Sequence, residues 1–185
     1  MKIQNHKVSG KDLVVIDNAF SRSQMDKFYK FLYNSYYEVG GGGHVAIEDA
    51  PDLALQSMYS KKDLDNFGLF NDMPEEVKKL ISGLEITRAY SLLMNYAQKP
   101  HYHSDTFDSR DKTLLYYPNI KWDVDWGGET VFANDDLDDI EYTSIYRPGR
   151  MVLFDSRILH KPCTPSLAFN GFRFTFVANL SPQAN

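Results

Sequence analysis

The amino-acid sequence predicts an α+β domain in which helices come first and a sheet-rich core follows. Three observations carry this expectation. Apolar residues recur at helical steps in the first half of the chain, and after Gly83 the pattern changes to short strand-like runs separated by Pro, Gly, Asn and Asp clusters. Aromatic residues make up 14% of the chain, with 12 Tyr and 12 Phe, and such residues fill pleated, half-buried surfaces.

Taken in order, residues 1–11 are polar and read as loosely held. Leu13 to Ile16, followed by Asp17-Asn18, read as a short buried strand that ends in a turn before Phe20. Ser21 or Ser23 then caps a helix, because Met25, Phe28, Tyr29, Leu32, Tyr33 and Tyr36 fall on one stripe; such a stripe is core packing. The run Gly40-Gly41-Gly42-Gly43 stops regular structure and reads as a mobile loop with His44 in solvent. It lacks the preceding strand, following helix and Lys of a phosphate cradle. A short helix fits near Pro51 to Tyr59. Pro74 to Ile81 is a better one: proline suits its first turn, Glu75 and Glu76 complement the helix dipole, and Gly83 ends it.

Strands are expected at Leu84–Ala97, Lys112–Tyr117, Thr130–Phe132, Arg150–Phe154 and Arg173–Leu180. The acidic run Asp135-Asp136-Leu137-Asp138-Asp139 reads as a solvated loop, without the spaced ligands and Gly of an EF-hand. There is no internal repeat and no linker, so residues 1–185 read as a single domain, with a helical buttress at about 21–83 and a β core at about 84–180.

Bulk properties narrow the function. A formal net charge of −5 and an isoelectric point near 5.5 argue against broad binding to nucleic-acid backbones. The single cysteine, Cys163, excludes an internal disulfide and a Cys-rich zinc site, and a reducing compartment fits it. No apolar run follows the first lysine and none approaches the about 20 residues of a membrane span, so the expected location is cytoplasmic.

The chemistry-bearing residues lie in the second half. If His103 and Asp105 sit in a strand, residues two apart project to one face. Two imidazoles and one carboxylate on one side of a metal form the facial triad of non-haem iron(II) oxygenases, which leaves other coordination positions open. His160 is the later candidate, although beside Lys161-Pro162 it also suits a turn. Only His103 has an Asp two residues on, so His101 reads as a neighbouring or substrate-facing group; Arg157 is a second candidate for substrate contact. In Phe172-Arg173-Phe174-Thr175-Phe176, alternation places Arg173 and Thr175 on one face and the three Phe on the other. A charge inside such a strand needs a partner, either a structural carboxylate or a ligand. Gly127-Gly128 permits a close approach, Glu129 and Thr130 serve turn and sheet geometry, and Trp122 and Trp126 pack.

Tyr116-Tyr117-Pro118-Asn119, Trp126-Gly127-Gly128-Glu129-Thr130-Val131-Phe132 and Pro148-Gly149 through Phe154, lying in order between His103-Ser104-Asp105 and His160, resemble the prolyl 4-hydroxylase-like branch of the iron(II)/2-oxoglutarate-dependent dioxygenases. The likeness runs from about residue 12 to 180. It implies a double-stranded β-helix, or jelly roll, with the N-terminal helices packed against one sheet. It implies His103, Asp105 and His160 as metal ligands and catalytic residues. Arg173 is then the clamp on the far carboxylate of 2-oxoglutarate, with Tyr117, Tyr96 and Thr175 as further cosubstrate contacts. The implied cofactors are Fe(II), 2-oxoglutarate and O2, with ascorbate as an accessory reductant. The implied reaction hydroxylates a C–H bond while 2-oxoglutarate becomes succinate and carbon dioxide. Asp105 favours hydroxylation, since related halogenases lack this carboxylate. The substrate class is a prolyl residue in a peptide or protein, or a small molecule. Two rival readings stand beside it: a non-catalytic metal-binding jelly roll, from which Arg173 discriminates, and a nucleic-acid base dealkylase, which the acidic charge disfavours.

Overall fold

The computed structural model describes residues 1–41 and 53–183. It opens with β1 (Lys2–Val8), β2 (Lys11–Asp17) and α1 (Arg22–Tyr33), then β3 (Glu38–Gly41), β4 (Leu53–Met58), α2 (Lys61–Phe67) and α3 (Glu75–Leu80). The second half is β5 (Leu84–Met94), β6 (Lys112–Tyr116), β7 (Thr130–Ala133), β8 (Ile140–Ser144), β9 (Met151–Asp155), β10 (His160–Pro162) and β11 (Arg173–Pro182). These strands form a major sheet in the order β1-β2-β9-β6-β11-β5-β4-β3 and a minor sheet in the order β10-β7-β8. Every pairing between them is antiparallel.

Alternation along the major sheet builds two cores from its two faces. On one face Leu114, Tyr116, Leu153, Phe174 and Phe176 pack against Phe28 and Leu32 of α1, Leu64 and Phe67 of α2 and Val77 of α3. On the other, Leu13, Val15, Tyr90, Leu115 and Val177 pack with Phe132, Tyr146 and Ile158 of the minor-sheet side. Helices, major sheet and minor sheet are thus successive layers, and the fold is an α+β double-stranded β-helix with helices on one sheet.

Local chemistry sets the helix starts. Ser21 accepts from the backbone N of Gln24 while the Gln24 side chain accepts from Ser21 N, a reciprocal cap, and Ser60 with Asp63 repeats it at α2. Five expectations need correcting. Residues 1–11 are not loose, because β1 pairs with β2 along its whole length across a Ser9-Gly10 turn with positive φ at both residues. This edge strand is held by backbone hydrogen bonds and exposes most of its side chains, so apolar patterning does not reveal it. Gly40 and Gly41 belong to β3; Gly42, Gly43 and His44 lie outside the described residues. Leu53–Met58 is a strand, and the helix comes one element later, after Ser60. Tyr36 lies beyond the end of α1. The strand predicted to Ala97 stops at Met94.

A buried ion pair ties β2 to the turn before β9. Arg150 donates Nε to Oδ1 of Asp17 at 2.8 Å and Nη2 to Oδ2 at 2.9 Å. Burial alone pushes the Asp17 carboxyl upward; the Arg150 hydrogen bonds and charge, with Arg147, outweigh it and hold the group below the usual carboxylate range. Its contribution is therefore complete above that range and is lost as pH falls through the lowered native value. Asp17→Asn is expected to cost about 3–5 kcal/mol in urea unfolding at neutral pH by stranding the arginine. A loss below about 1 kcal/mol would show that the pair is dispensable.

Candidate active site

His103 and Asp105 do not lie in a regular strand. His103 forms an isolated antiparallel bridge with His160, N to O at 3.0 Å and 2.9 Å in the two directions, and Asp105 sits in the bend beyond it with its N donating to Ser156 O at 2.9 Å. The bridge adds His103 to the minor sheet beside β10, and it brings the two imidazoles to 4.4 Å between centroids. Nε2 of His103 is 3.9 Å from Oδ1 of Asp105, and Nε2 of His160 is 3.9 Å from Oδ2. One ligand atom from each of the three residues falls within 4.8 Å of the others, so the group is able to hold a metal ion.

The tautomers follow from the partners. Nδ1 of His103 lies 3.0 Å from His101 O and Nδ1 of His160 lies 2.9 Å from Ile158 O. A carbonyl only accepts, so each Nδ1 carries a proton and each ring turns its Nε2 toward Asp105. Burial, reinforced by the neighbouring His103 and opposed by Asp105, lowers the His160 pKa to about 4, which keeps that imidazole neutral at pH 7.

These three residues share a cavity with Tyr90, Leu92, Leu115, Val177, Thr130, Thr175 and Arg173. Arg173 is 0% exposed. Its Nε donates to Gly128 O at 2.6 Å, Nη1 to Thr175 Oγ1 at 2.5 Å and Nη2 to Thr130 Oγ1 at 3.2 Å. Among the described residues no carboxylate lies within ion-pair distance of it. Asn119 fixes the strand on both sides, donating Nδ2 to Phe172 O at 3.0 Å and accepting from Phe174 N at 2.9 Å. The Tyr146 and Tyr117 rings lie 5.2 Å and 5.6 Å from the guanidinium.

The other predicted residues divide. Thr175 lines the cavity against Arg173. Tyr117 stands one layer behind, stacked on Tyr146 and donating to Thr130 Oγ1 at 2.9 Å. Tyr96 is not in the cavity: β5 ends at Met94, an Asn95-Gln98 turn follows, and Tyr96 is 57% exposed. His101 contributes its carbonyl to His103 while its side chain is exposed, and Arg157 is engaged with Asp155, at 2.8 Å from Nη2. Neither lines the cavity.

Two polar lining residues escape the sequence reading. Tyr90 is buried opposite Val177, and its burial, with the nearby Asp105 charge, raises its pKa so that the phenol stays protonated. The signal for it is alternation within β5, which puts Tyr90, Leu92 and Met94 on the face that meets Arg173, Thr175 and Val177. Thr130 is buried and holds both Arg173 and Tyr117, beyond the sheet geometry expected of it.

Residues 90–180 match the family model described as the 2OG-Fe(II) oxygenase superfamily. No curated protein matches the chain. Among solved structures, a Pseudomonas putida prolyl-4-hydroxylase is 11% identical with a TM-score of 0.65, over 93% of this chain and 93% of that one. A Trichoplax adhaerens prolyl hydroxylase, in complex with a hypoxia-inducible-factor oxygen degradation domain peptide fragment, is 16% identical with a TM-score of 0.64, over 92% and 83%. HygX from Streptomyces hygroscopicus, with nickel, 2-oxoglutarate and hygromycin B bound, is 12% identical with a TM-score of 0.64, over 92% and 83%. The match over residues 90–180, the shared double-stranded β-helix and the His103, Asp105 and His160 cluster make this core similar to the 2OG-Fe(II) oxygenase superfamily, with prolyl hydroxylases among the proteins that share its fold.

Proposed function

We propose that this oxygenase hydroxylates a C–H bond, with His103, Asp105 and His160 holding Fe(II) and Arg173 anchoring 2-oxoglutarate. The observation that carries the reading is a fully buried guanidinium with no carboxylate partner among the described residues, lining the same cavity as two imidazoles and a carboxylate. The donor set suits iron(II) and leaves positions open for exogenous ligands. A buried cation without a counter-ion is costly, and a dicarboxylate entering the cavity supplies one. A simple metal store has no use for that feature.

Bound iron(II) supplies the redox chemistry by which 2-oxoglutarate is oxidatively decarboxylated to succinate and carbon dioxide while one oxygen atom reaches the substrate. The protein supplies position and dryness. Thr130 and Thr175 accept from the guanidinium and fix its plane, Tyr117 holds Thr130 from behind, and Leu92, Leu115 and Val177 exclude water, which strengthens the ion pair with an incoming carboxylate. Tyr90 offers a protonated phenol beside Asp105, suited to donate to a cosubstrate oxygen. The favoured substrate class is a prolyl residue in a peptide or protein, in keeping with the motif resemblance; HygX, with hygromycin B bound, supports a small-molecule alternative.

Succinate formation from 2-oxoglutarate with Fe(II), with and without Pro-containing peptides, tests both levels. Peptide-stimulated succinate supports the prolyl reading, uncoupled succinate alone points to another substrate, and failure of iron-loaded protein to bind 2-oxoglutarate refutes the cosubstrate. Asp105→Ala is expected to abolish turnover while the far-ultraviolet spectrum stays native; unchanged activity would overturn the ligand assignment. Arg173→Lys loses the planar fork, and calorimetric titration should show 2-oxoglutarate affinity reduced about tenfold or more, corresponding to about 1.5–3 kcal/mol for a hydrogen bond to a charged group. Tyr90→Phe should raise the KM for 2-oxoglutarate several-fold while Tyr96→Phe leaves it unchanged, and the reverse pattern would restore Tyr96 to the site.

A further inference from the structure

Asp105 lies in a bend, so regular strand geometry does not aim its side chain. Its Oδ2 is 2.5 Å from the hydroxyl of Thr113, which is completely buried on β6 next to Leu114 and Leu115. Thr113 Oγ1 also lies 2.8 Å from Ser156 Oγ and 3.3 Å from Asn179 Nδ2. A hydroxyl inside an apolar strand is unfavourable unless it is bonded, and here it has three partners.

We infer that Thr113 is a positioning residue that clamps the Asp105 carboxylate in the orientation the metal requires. The direction of the chain follows from donor counting. A carboxylate accepts only, so the single Thr113 proton is given to Asp105. The Thr113 lone pairs then accept from the Ser156 hydroxyl and from the Asn179 amide. Two donors feeding the hydroxyl polarise it and strengthen its own donation.

The supports come from separate parts of the fold. Thr113 is on β6, Asn179 on β11, and Ser156 follows β9. Ser156 also accepts from the Asp105 backbone at 2.9 Å, so one residue helps to hold both the main chain and, through Thr113, the side chain of Asp105. With Oδ2 held, the two carboxylate oxygens remain 3.9 Å from Nε2 of His103 and of His160 respectively. The major sheet thereby fixes a ligand that the minor sheet, which carries both imidazoles through the His103–His160 bridge, does not reach.

This inference rests on the proposed metal site, and metal affinity tests it apart from turnover. Thr113→Val removes the hydroxyl and keeps a β-branched side chain of similar volume, so the metal-free protein should melt as a native fold. Calorimetric titration with Mn(II), a redox-stable stand-in for Fe(II), should show affinity reduced ten- to a hundredfold, the usual effect of losing a partner of a metal ligand. Thr113→Ser should restore it to within a few-fold of the parent. Should Thr113→Val not fold, Thr113→Ala against Thr113→Ser makes the same comparison. Parent affinity in the hydroxyl-free variant, or equal weakening in the serine variant, overturns the clamp while leaving the metal site standing. Absence of Mn(II) binding by the parent protein overturns both.

Discussion

A charge without a counter-ion, buried where water cannot reach it, is the constraint on which the centre of this structure depends. Arg173 is tolerable in the interior because each of its three guanidinium nitrogens has a prepared acceptor, the last of them a backbone carbonyl that reaches Nε. That carbonyl belongs to Gly128, whose φ is +77° and where a Cβ would meet Trp122 at 2.8 Å and the Arg173 side chain at 3.2 Å. Gly128 and Thr130 of one short motif, with Trp122 a few residues upstream, are thus parts of a single cradle. Asn119, in a different motif, clamps the strand on either side of the same arginine.

The site also depends on how two sheets share its parts. The minor sheet carries the imidazoles through the His103–His160 bridge, and the major sheet carries Arg173, Thr175, Tyr90 and Thr113. Neither sheet alone forms a site. The apolar layer of Leu115, Phe132, Phe154 and Val177 holds them in register, so the packing between the sheets is also the packing that sets the distance between the candidate metal ligands and Arg173.

Most of the fold was legible where apolar residues repeat. The α1 stripe, β2, β6, β9 and β11 could be read because burial of one or both faces writes itself into the sequence. β1, β8 and β10 were not, because the first two are held largely by backbone pairing with exposed side chains and the third is three residues long. At the site, His103, Asp105, His160 and Arg173 were legible from residue type and motif order. Tyr90 was missed and Tyr96 preferred because nearness in sequence to the first histidine was weighed above the strand's end at Met94. Asp105 was singled out for a geometric reason that the structure does not bear out: no strand turns it toward His103, and its aim comes from backbone and hydroxyl partners distant in sequence.

The same division bears on how substrate and cosubstrate are separated. Groups at the Arg173 end are buried, lie on or beside paired strands and hydrogen-bond one another, so a change there disturbs a core as well as a contact. The chain that brings His103 and Asp105 to the cavity is loop, and it continues into exposed Phe107 and the solvent-facing Asp108–Arg110 pair. Loop residues outside the hydrogen-bonded cluster change at little cost to either core. Within the proposed reaction, cosubstrate recognition is therefore tied to the stability of the fold. The segment free to differ from one fold relative to another lies beside the proposed metal ligands, where that reaction would bring a substrate to the protein.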